Sequence, residues 1–270
     1  MTEESVVLYE VIDGIATITL NRPDALNAMT DPLMQGLGGA LAKVRHDHSV
    51  RVVILTGRGR GFCSGADLSE RANTDETTPK ANNDETPDGI DHFNSAMRAL
   101  SDCPVPTIAR INGPAAGGGF GLALACDITI AAESAFFVAT FGPKLGIVPD
   151  MGATWSIPGR VGRARALGIT LLGDRINATQ AQEWGLIWRA VADEALDEAI
   201  NEVAVTLKNS SPETVTRIRK TIDGAARHTF SEQLDIEMSH QAVLIPRNMA
   251  EGARAFMEKR PPSFVAKRED

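Results

Sequence analysis

Apolar and polar positions alternate along the first twenty residues in two short runs. Residues 6–11 and 15–20 are rich in β-branched side chains, and the pair Asp13-Gly14 between them favours a tight turn, so the segment predicts a β-hairpin. Apolar positions at helical spacing follow over 30–47, and the apolar run 51–56 is typical of a buried strand. The start of the chain therefore predicts the order strand, strand, helix, strand.

The middle of the chain continues this alternation, and its end is helical. The pattern predicts a helix from 89 to 101 and strands over 107–111 and 127–132, with a short helix between the two strands after a run of glycines. From about residue 160 the apolar spacing is that of a series of helices. The helices predicted there cover 162–172, 178–184, 193–209, 212–226, 230–244 and 248–258.

One segment departs from both patterns. Residues 71–89 contain almost nothing that packs, which predicts a mobile surface loop that is long for a compact domain. We therefore expect an α/β core domain over 1–200, interrupted by this loop, and a C-terminal helical region over 201–270.

Composition excludes several classes of protein. The chain has 270 residues and a net charge of -8, from 35 acidic and 27 basic side chains, which excludes a nucleic-acid partner because phosphates need a basic face. Cys63, Cys103 and Cys126 are too few and too scattered for a disulfide framework or a zinc site. No run approaches the roughly 20 apolar residues that cross a bilayer. The acidic start lacks the features of a signal peptide, so we expect a cytoplasmic protein without a membrane partner.

Two glycine-rich segments, 57–68 and 112–122, each follow a predicted strand. Glycine lets a backbone approach a ligand closely, and the second segment also opens a helix, whose first N–H groups lie at the positive end of its dipole. A P-loop is excluded, and the dinucleotide fingerprint is poorly matched. Two interpretations stay open from the residues alone: tight turns without a ligand, or a pair of backbone donors aimed at one developing oxyanion.

Four motifs in order carry a resemblance to a known family. They are Asn21-Arg22-Pro23 with Ala25-Leu26-Asn27-Ala28, the two glycine segments, Leu145-Gly146-Ile147-Val148-Pro149-Asp150, and Ala255-Phe256-Met257-Glu258-Lys259-Arg260-Pro261-Pro262. With them the chain resembles, over nearly its whole length, the crotonase (enoyl-CoA hydratase/isomerase) superfamily. The resemblance implies an α/β fold, a ClpP-like spiral of ββα units, with C-terminal helices through which members assemble as homotrimers or homohexamers.

The resemblance also implies an acyl-CoA thioester as the substrate, so coenzyme A enters as part of the substrate, and we expect no other cofactor and no metal. The thioester carbonyl would accept hydrogen bonds from the N–H groups of Ala66 and Gly118, which stabilise an enolate. The other substrate contacts implied by the motifs are Asp24, Ala25 and Leu26 along CoA, Ser64, Ala66, Asp67 and Leu68 along the pantetheine and thioester, and Phe256 and Lys259 at the adenine and phosphate end. Six basic residues against two glutamates over 247–268 agree with a phosphate contact there.

In the hydratases of this superfamily, two glutamates activate water and deliver its proton. The first lies three residues after Gly118, where this chain has Gly121, and the second lies four residues before the glycine of the Leu-Gly-x-x-Pro motif, where it has Gly142. Glycine cannot transfer a proton, so ordinary hydration is disfavoured. Across 134–160 the one carboxylate is Asp150. Relatives that shift double bonds carry a proton-shuttling aspartate at that position.

The sequence around Asp150 resembles most closely the ring-opening enoyl-CoA isomerases of phenylacetate degradation. One carboxylate is enough for such a reaction, because it can remove a proton beside the carbonyl or from the γ-carbon and return it elsewhere. We therefore expect a double-bond isomerase with Asp150 as its acid and base. The alternative is that Asp150 only caps the helix that follows it.

Three other functions stay open. The chain could be a hydratase that takes its acid from the 71–89 segment, which contains Asp75, Glu76, Asp84, Glu85 and Asp88. It could be a non-catalytic acyl-CoA-binding protein that kept the fold without the glutamates. It could also use a nucleophilic aspartate with His92, as the hydrolytic dehalogenases of the superfamily use a histidine.

Overall fold

The computed structural model describes residues 5–69 and 90–264. The strands in this part of the chain are β1 (Val7–Ile12), β2 (Ile15–Leu20), β3 (Val52–Gly57), β4 (Thr107–Ile111), β5 (Ala115–Ala116), β6 (Ile128–Ala132), β7 (Phe136–Val138), β8 (Ile176–Asn177) and β9 (Arg189–Val191). The α-helices are α1 (Asp31–His46), α2 (Ile90–Ser101), α3 (Gly118–Leu124), α4 (Ala153–Leu172), α5 (Ala178–Glu183), α6 (Leu196–Asn209), α7 (Pro212–Ala225) and α8 (Phe230–Glu258). The loop predicted over 71–89 lies outside the described residues.

A six-stranded sheet in the order β1-β2-β3-β4-β6-β9 forms the centre of the molecule. Strands β1 and β2 are an antiparallel hairpin, and every later neighbour is parallel. Asp13 and Gly14, with φ of 48° and 77°, form the predicted two-residue turn. Helices α1, α2 and α3 lie in the crossovers that connect the parallel strands, as parallel pairing requires. The predicted α/β spiral is confirmed.

Helix α1 shows how the sequence builds the core. It begins after Thr30, whose hydroxyl accepts a hydrogen bond from the N–H of Leu33 at 3.4 Å, and Pro32 occupies its first turn. Leu33, Leu37 and Leu41 recur every four residues and are buried against the sheet. Each such side chain contributes about 2 kcal/mol by leaving water.

Four short strands are not predicted by the sequence pattern. Strands β5, β7 and β8 form a second, three-stranded sheet, and β9 ends the first one. With two or three residues each, they are too short to show an alternating pattern. Strands β8 and β9 lie in the gaps between the helices predicted over 162–172, 178–184 and 193–209, where no strand is predicted.

The helices near the end of the chain also differ from their predicted bounds. Helix α4 begins at Ala153, nine residues before the prediction, and is broken at Gly162, which has φ of 75°. Helix α8 is continuous for 29 residues and carries Pro246 in its interior, where two helices are predicted. Helix α6 packs on β3, β4 and β6, so the boundary at residue 200, which stays a prediction, falls inside it. No described helix is long and apolar enough to cross a membrane.

Candidate active site

The two glycine-rich segments meet directly beyond the ends of β3 and β4. Cys63 and Ala115 form a parallel bridge between them. The N–H of Cys63 donates to Pro114 O at 3.1 Å, and the N–H of Ala116 donates to Cys63 O at 2.9 Å. The sheet therefore brings the start of α3 against the segment that contains Ala66.

Glycine is required where these two backbones touch. A Cβ on Gly119 would overlap the carbonyl oxygen of Cys63, a backbone atom that cannot turn away. Gly65 has φ of 93°, and a Cβ placed on it would stand 3.3 Å from the backbone nitrogen of Gly118. The glycines therefore permit a contact between backbones, in addition to any contact with a ligand.

The backbone leaves the N–H groups of Ala66 and Gly118 without acceptors. Met29 N donates to Gly65 O at 2.7 Å and Asp67 N donates to Met29 O at 2.9 Å, so the N–H of Ala66 points to the opposite side. Gly118 is the first residue of α3 and has no intrahelical acceptor. Within 5–69 and 90–264, no hydrogen bond uses either N–H. Such a pair of donors can stabilise an oxyanion.

Asp67, implied by the resemblance to line the substrate, holds the backbone beside Ala66. Its carboxylate accepts hydrogen bonds from the hydroxyl of Ser69 at 2.6 Å and from Arg22 Nη2 at 2.9 Å. These bonds, first those from Ser69 and then that from Arg22, lower the pKa of Asp67. Arg22 Nη1 also donates to Ala28 O at 2.6 Å, so the ion pair connects the Ala66 segment to the turn before α1.

The turn predicted to lie along coenzyme A packs against the first glycine segment. Pro23–Ala25 is one turn of 3₁₀-helix, and Leu26 follows with φ of 50°. The N–H of Ser64 donates to Leu26 O at 3.0 Å, and its hydroxyl donates to Ala25 O at 3.3 Å. Asp24 is exposed at the edge of this turn. The structure thus brings Asp24, Ala25 and Leu26 together with Ser64.

Asp150 lies in an unusual turn that leads into α4. It is exposed, and Met151 and Gly152 after it both have positive φ, of 52° and 72°. Gly152 occupies the N-cap position of α4, and the N–H of Ala153 donates to the backbone oxygen of Asp150 at 3.0 Å, so the alternative that Asp150 caps this helix stays a prediction. Met151 reaches Gly118, because its Cγ lies 3.2 Å from the point where a Cβ on Gly118 would stand. The residue next to Asp150 therefore contacts one of the two candidate donors.

Nothing in the sequence predicts that two methionines lie in the candidate site. A Cβ on Gly118 would overlap Cε of Met29, so Met29 and Met151 both lie against this glycine. Both methionines are buried, at 2% and 4% exposure. Their spacing in the sequence is that of ordinary core residues, and only the packing of the turn around Met151 brings them to Gly118.

The predicted contacts for the far end of coenzyme A lie elsewhere in the chain. Phe256 is 82% exposed and Lys259 is exposed, both at the end of α8. No described hydrogen bond or ion pair connects either residue to the glycine segments. Arg260, in the same basic stretch, pairs with Glu251 at 2.7 Å and with Glu258 at 2.6 Å. Part of the predicted positive charge is therefore neutralised within the helix, and the positions of Lys267 and Arg268 lie outside the described residues.

The structure adds little support for a functional role of the other candidate residues. His92 is exposed on α2, and the five carboxylates between 75 and 88 lie outside the described residues. Leu68 is 45% exposed beside the Ala66 segment. Burial raises the pKa of the Cys63 thiol to about 12 and also raises that of Cys126, so neither thiol is a nucleophile at neutral pH. In the part of the chain that the structure covers, no group of His, Cys, Asp and Glu side chains could hold a metal ion.

Comparisons with known proteins cover nearly the whole chain. The sequence model of the family described as enoyl-CoA hydratase/isomerase matches residues 10–267. The chain is 42% identical over 266 residues to 1,2-epoxyphenylacetyl-CoA isomerase of Escherichia coli (strain K12), covering 97% of this chain and 98% of that protein. It is 36% identical to the mitochondrial enoyl-CoA hydratase domain-containing protein 2 of Mus musculus, covering 94% and 85%. The crystal structure of enoyl-CoA hydratase from Bacillus anthracis is similar with a TM-score of 0.85 at 33% identity, covering 98% of this chain and 100% of that one.

Proposed function

The chain belongs to the enoyl-CoA hydratase/isomerase family, and from that premise we propose that it is a double-bond isomerase of acyl-CoA esters. The N–H groups of Ala66 and Gly118 stabilise the thioester enolate, and Asp150 is the acid and base. One observation carries this proposal. Two N–H donors that have no acceptor among the described residues lie beside the turn that holds Asp150, while Gly121 and Gly142 stand where a hydratase has its glutamates.

The proposed reaction needs one carboxylate and no water. Asp150 removes a proton from the carbon next to the carbonyl or from the γ-carbon, and the electron pair of that C–H bond moves into the conjugated system and onto the carbonyl oxygen. The two N–H donors stabilise this oxyanion, and one such donor is typically worth about 3 kcal/mol in the transition state. Asp150 then returns the proton to a different carbon. The double bond has moved, and the product has the mass of the substrate.

The assembly and location of the protein are parts of the same proposal. We propose a homotrimer or homohexamer formed through α7 and α8, because these helices expose a series of large apolar side chains that a monomer leaves in water. The series comprises Ile218, Ile222, Phe230, Leu234, Met238, Ile245, Met249 and Phe256. We also propose a cytoplasmic location, which fits three buried cysteines that are all free.

A panel of acyl-CoA esters tests the reaction. The panel includes straight-chain, cyclic and aromatic enoyl-CoA esters and aromatic epoxy esters, the last because the Escherichia coli relative is named for one. Each ester is incubated with the protein in H₂O and in D₂O, and the products are identified by mass and NMR. The proposal expects products of unchanged mass in H₂O, and in D₂O a gain of deuterium at the carbon that receives the proton only where the proton on Asp150 exchanges with solvent before it is returned. A product heavier by one water would indicate a hydratase, and tight binding without turnover would indicate a non-catalytic binder.

A further inference from the structure

Gly121 and Gly142 differ in the room that each leaves for a side chain. A Cβ on Gly121 would stand 2.6 Å from the carbonyl oxygen of Met151 and 2.7 Å from its Cβ, closer than real Cβ atoms approach other atoms. A Cβ on Gly142 would have Thr170 O as its nearest neighbour, at 3.2 Å. The backbone of Met151 therefore closes the first hydratase position, whereas a Cβ at the second would meet one tight contact, with Thr170 O.

The turn that closes Gly121 is itself held by packing. Met151 has φ of 52°, a left-handed conformation that is unfavourable for a residue with a side chain. It is 4% exposed, with its backbone on Gly121 and its side chain on Gly118. Such a conformation persists only where the surroundings impose it, and here the two glycines provide the space. Gly121 thus determines where the turn and the adjacent Asp150 lie.

We propose that Met151 is a specificity-determining residue that keeps water out of the reaction, an inference that rests on the isomerase function proposed above. A water held for attack needs room and two to four polar partners, and the Met151 side chain fills the room beside Gly118 without supplying a partner. In a hydratase of the family, a carboxylate three residues after the oxyanion glycine provides such a partner. Met151 occupies that place, so the site transfers protons without an ordered nucleophilic water.

The first test measures which product forms. Met151→Gly should fold, because glycine adopts a positive φ without strain, and it opens space beside Gly118. The variant is assayed in H₂¹⁸O with an enoyl-CoA ester that the wild type isomerises. We expect the share of ¹⁸O-labelled hydrated ester to rise about tenfold or more over the wild type, the scale on which pocket shape changes discrimination. Met151→Leu, which keeps the apolar volume, should retain the wild-type product ratio whatever its rate.

The second test measures the contact itself and needs no substrate. Gly121→Ala should lower the midpoint of thermal unfolding by several degrees, because backbone atoms of Met151 must move. Gly159→Ala is the matched control, since nothing lies within 4 Å of its Cβ position. The double variant of Gly121→Ala with Met151→Gly should recover part of the loss in unfolding temperature, because the Cβ of residue 151, one of the two closest atoms, is absent.

Two results would overturn the inference. One is that Met151→Gly forms only the isomerised product, or that Met151→Leu raises the share of hydrated product as much as Met151→Gly does. The other is a Gly121→Ala variant that unfolds at the same temperature as Gly159→Ala. If the wild type isomerised no ester, the proposed function would fail, while the unfolding measurements would still decide the contact between Met151 and Gly121.

Discussion

The glycine segments and the C-terminal helices differ in how much of their surface a single chain buries. Between the Ala66 segment and Gly118, backbone packs on backbone, and the side chains of Met29 and Met151 against Gly118 are buried. Helix α8 buries one residue, Ala255, along 29 positions, and Phe256 next to it is 82% exposed. A single chain therefore builds the proposed oxyanion site by itself. The residues implied to contact the far end of coenzyme A lie on a surface that a single chain leaves uncovered.

One arginine of α7 connects the C-terminal helices to the central sheet. Arg219 Nε donates to Asp127 Oδ1 at 2.8 Å, and Arg219 Nη1 donates to Cys103 O at 2.6 Å. The other oxygen of Asp127 accepts the N–H of Thr107 at 2.7 Å, at the first residue of β4. Asp127 thus fixes α7 to the sheet. Substitutions in the core are therefore expected to change turnover or stability, whereas substitutions on the C-terminal surface are expected to change substrate binding.

The largest effect is expected for Asp150→Asn. The amide cannot remove or return a proton, so turnover should fall about a thousandfold, within the usual range for a lost general acid or base. Affinity for a non-reacting acyl-CoA ester, measured by calorimetry, should stay within about twofold because both N–H donors remain. Asp174→Asn, at an exposed carboxylate after α4, is the control and should keep full turnover. Turnover retained in Asp150→Asn would exclude its proposed role.

A glycine-to-alanine pair compares the stability of the two regions. Gly119→Ala places a methyl group on the carbonyl of Cys63 and should destabilise the fold by about 1–3 kcal/mol or more. Gly252→Ala lies in α8 with nothing within 4 Å and should stabilise that helix by up to about 1 kcal/mol. Urea unfolding of both variants measures the difference. Equal effects would contradict the tight backbone contact in the core.

The scaffold could be predicted from the sequence, whereas the detail of the candidate site could not. The hairpin, α1, β3 and β4 carry strong apolar patterns, and the glycine segments locate the loops after two of those strands. The turn at Met151 has no local signal, because its positive φ results from packing on Gly118 and Gly121, which are distant in sequence. The continuous α8 is not predicted, because Pro246 favours a break that the helix does not show.

A smaller effect is expected where the C-terminal surface is proposed to bind phosphate. Lys259→Ala should raise KM for an acyl-CoA ester about threefold to tenfold, since an exposed charge contributes modestly to binding. It should leave kcat and the unfolding midpoint unchanged, because Lys259 is exposed and lies far from the proposed chemistry in sequence. Lys220→Ala, at an exposed lysine of α7, is the charge-matched control. An unchanged KM in Lys259→Ala, or an equal rise in KM in both variants, would show that Lys259 does not contribute specifically to substrate binding.

The smallest effect is the pH dependence that Glu251 gives to the C-terminal region. Glu251 accepts hydrogen bonds from Arg260 and from the N–H of Ser263, which lower its pKa from the ordinary value of 4.5 to about 2. Since the folded pKa lies below the unfolded one, the stabilisation is complete above about pH 4.5 and is lost as the pH falls to about 2. The difference in unfolding midpoint between the wild type and Glu251→Gln should therefore shrink over that range. The deficit of Gly119→Ala is steric and should not follow that titration, so a Glu251→Gln difference that stayed constant would show that the carboxylate is not stabilised by Arg260.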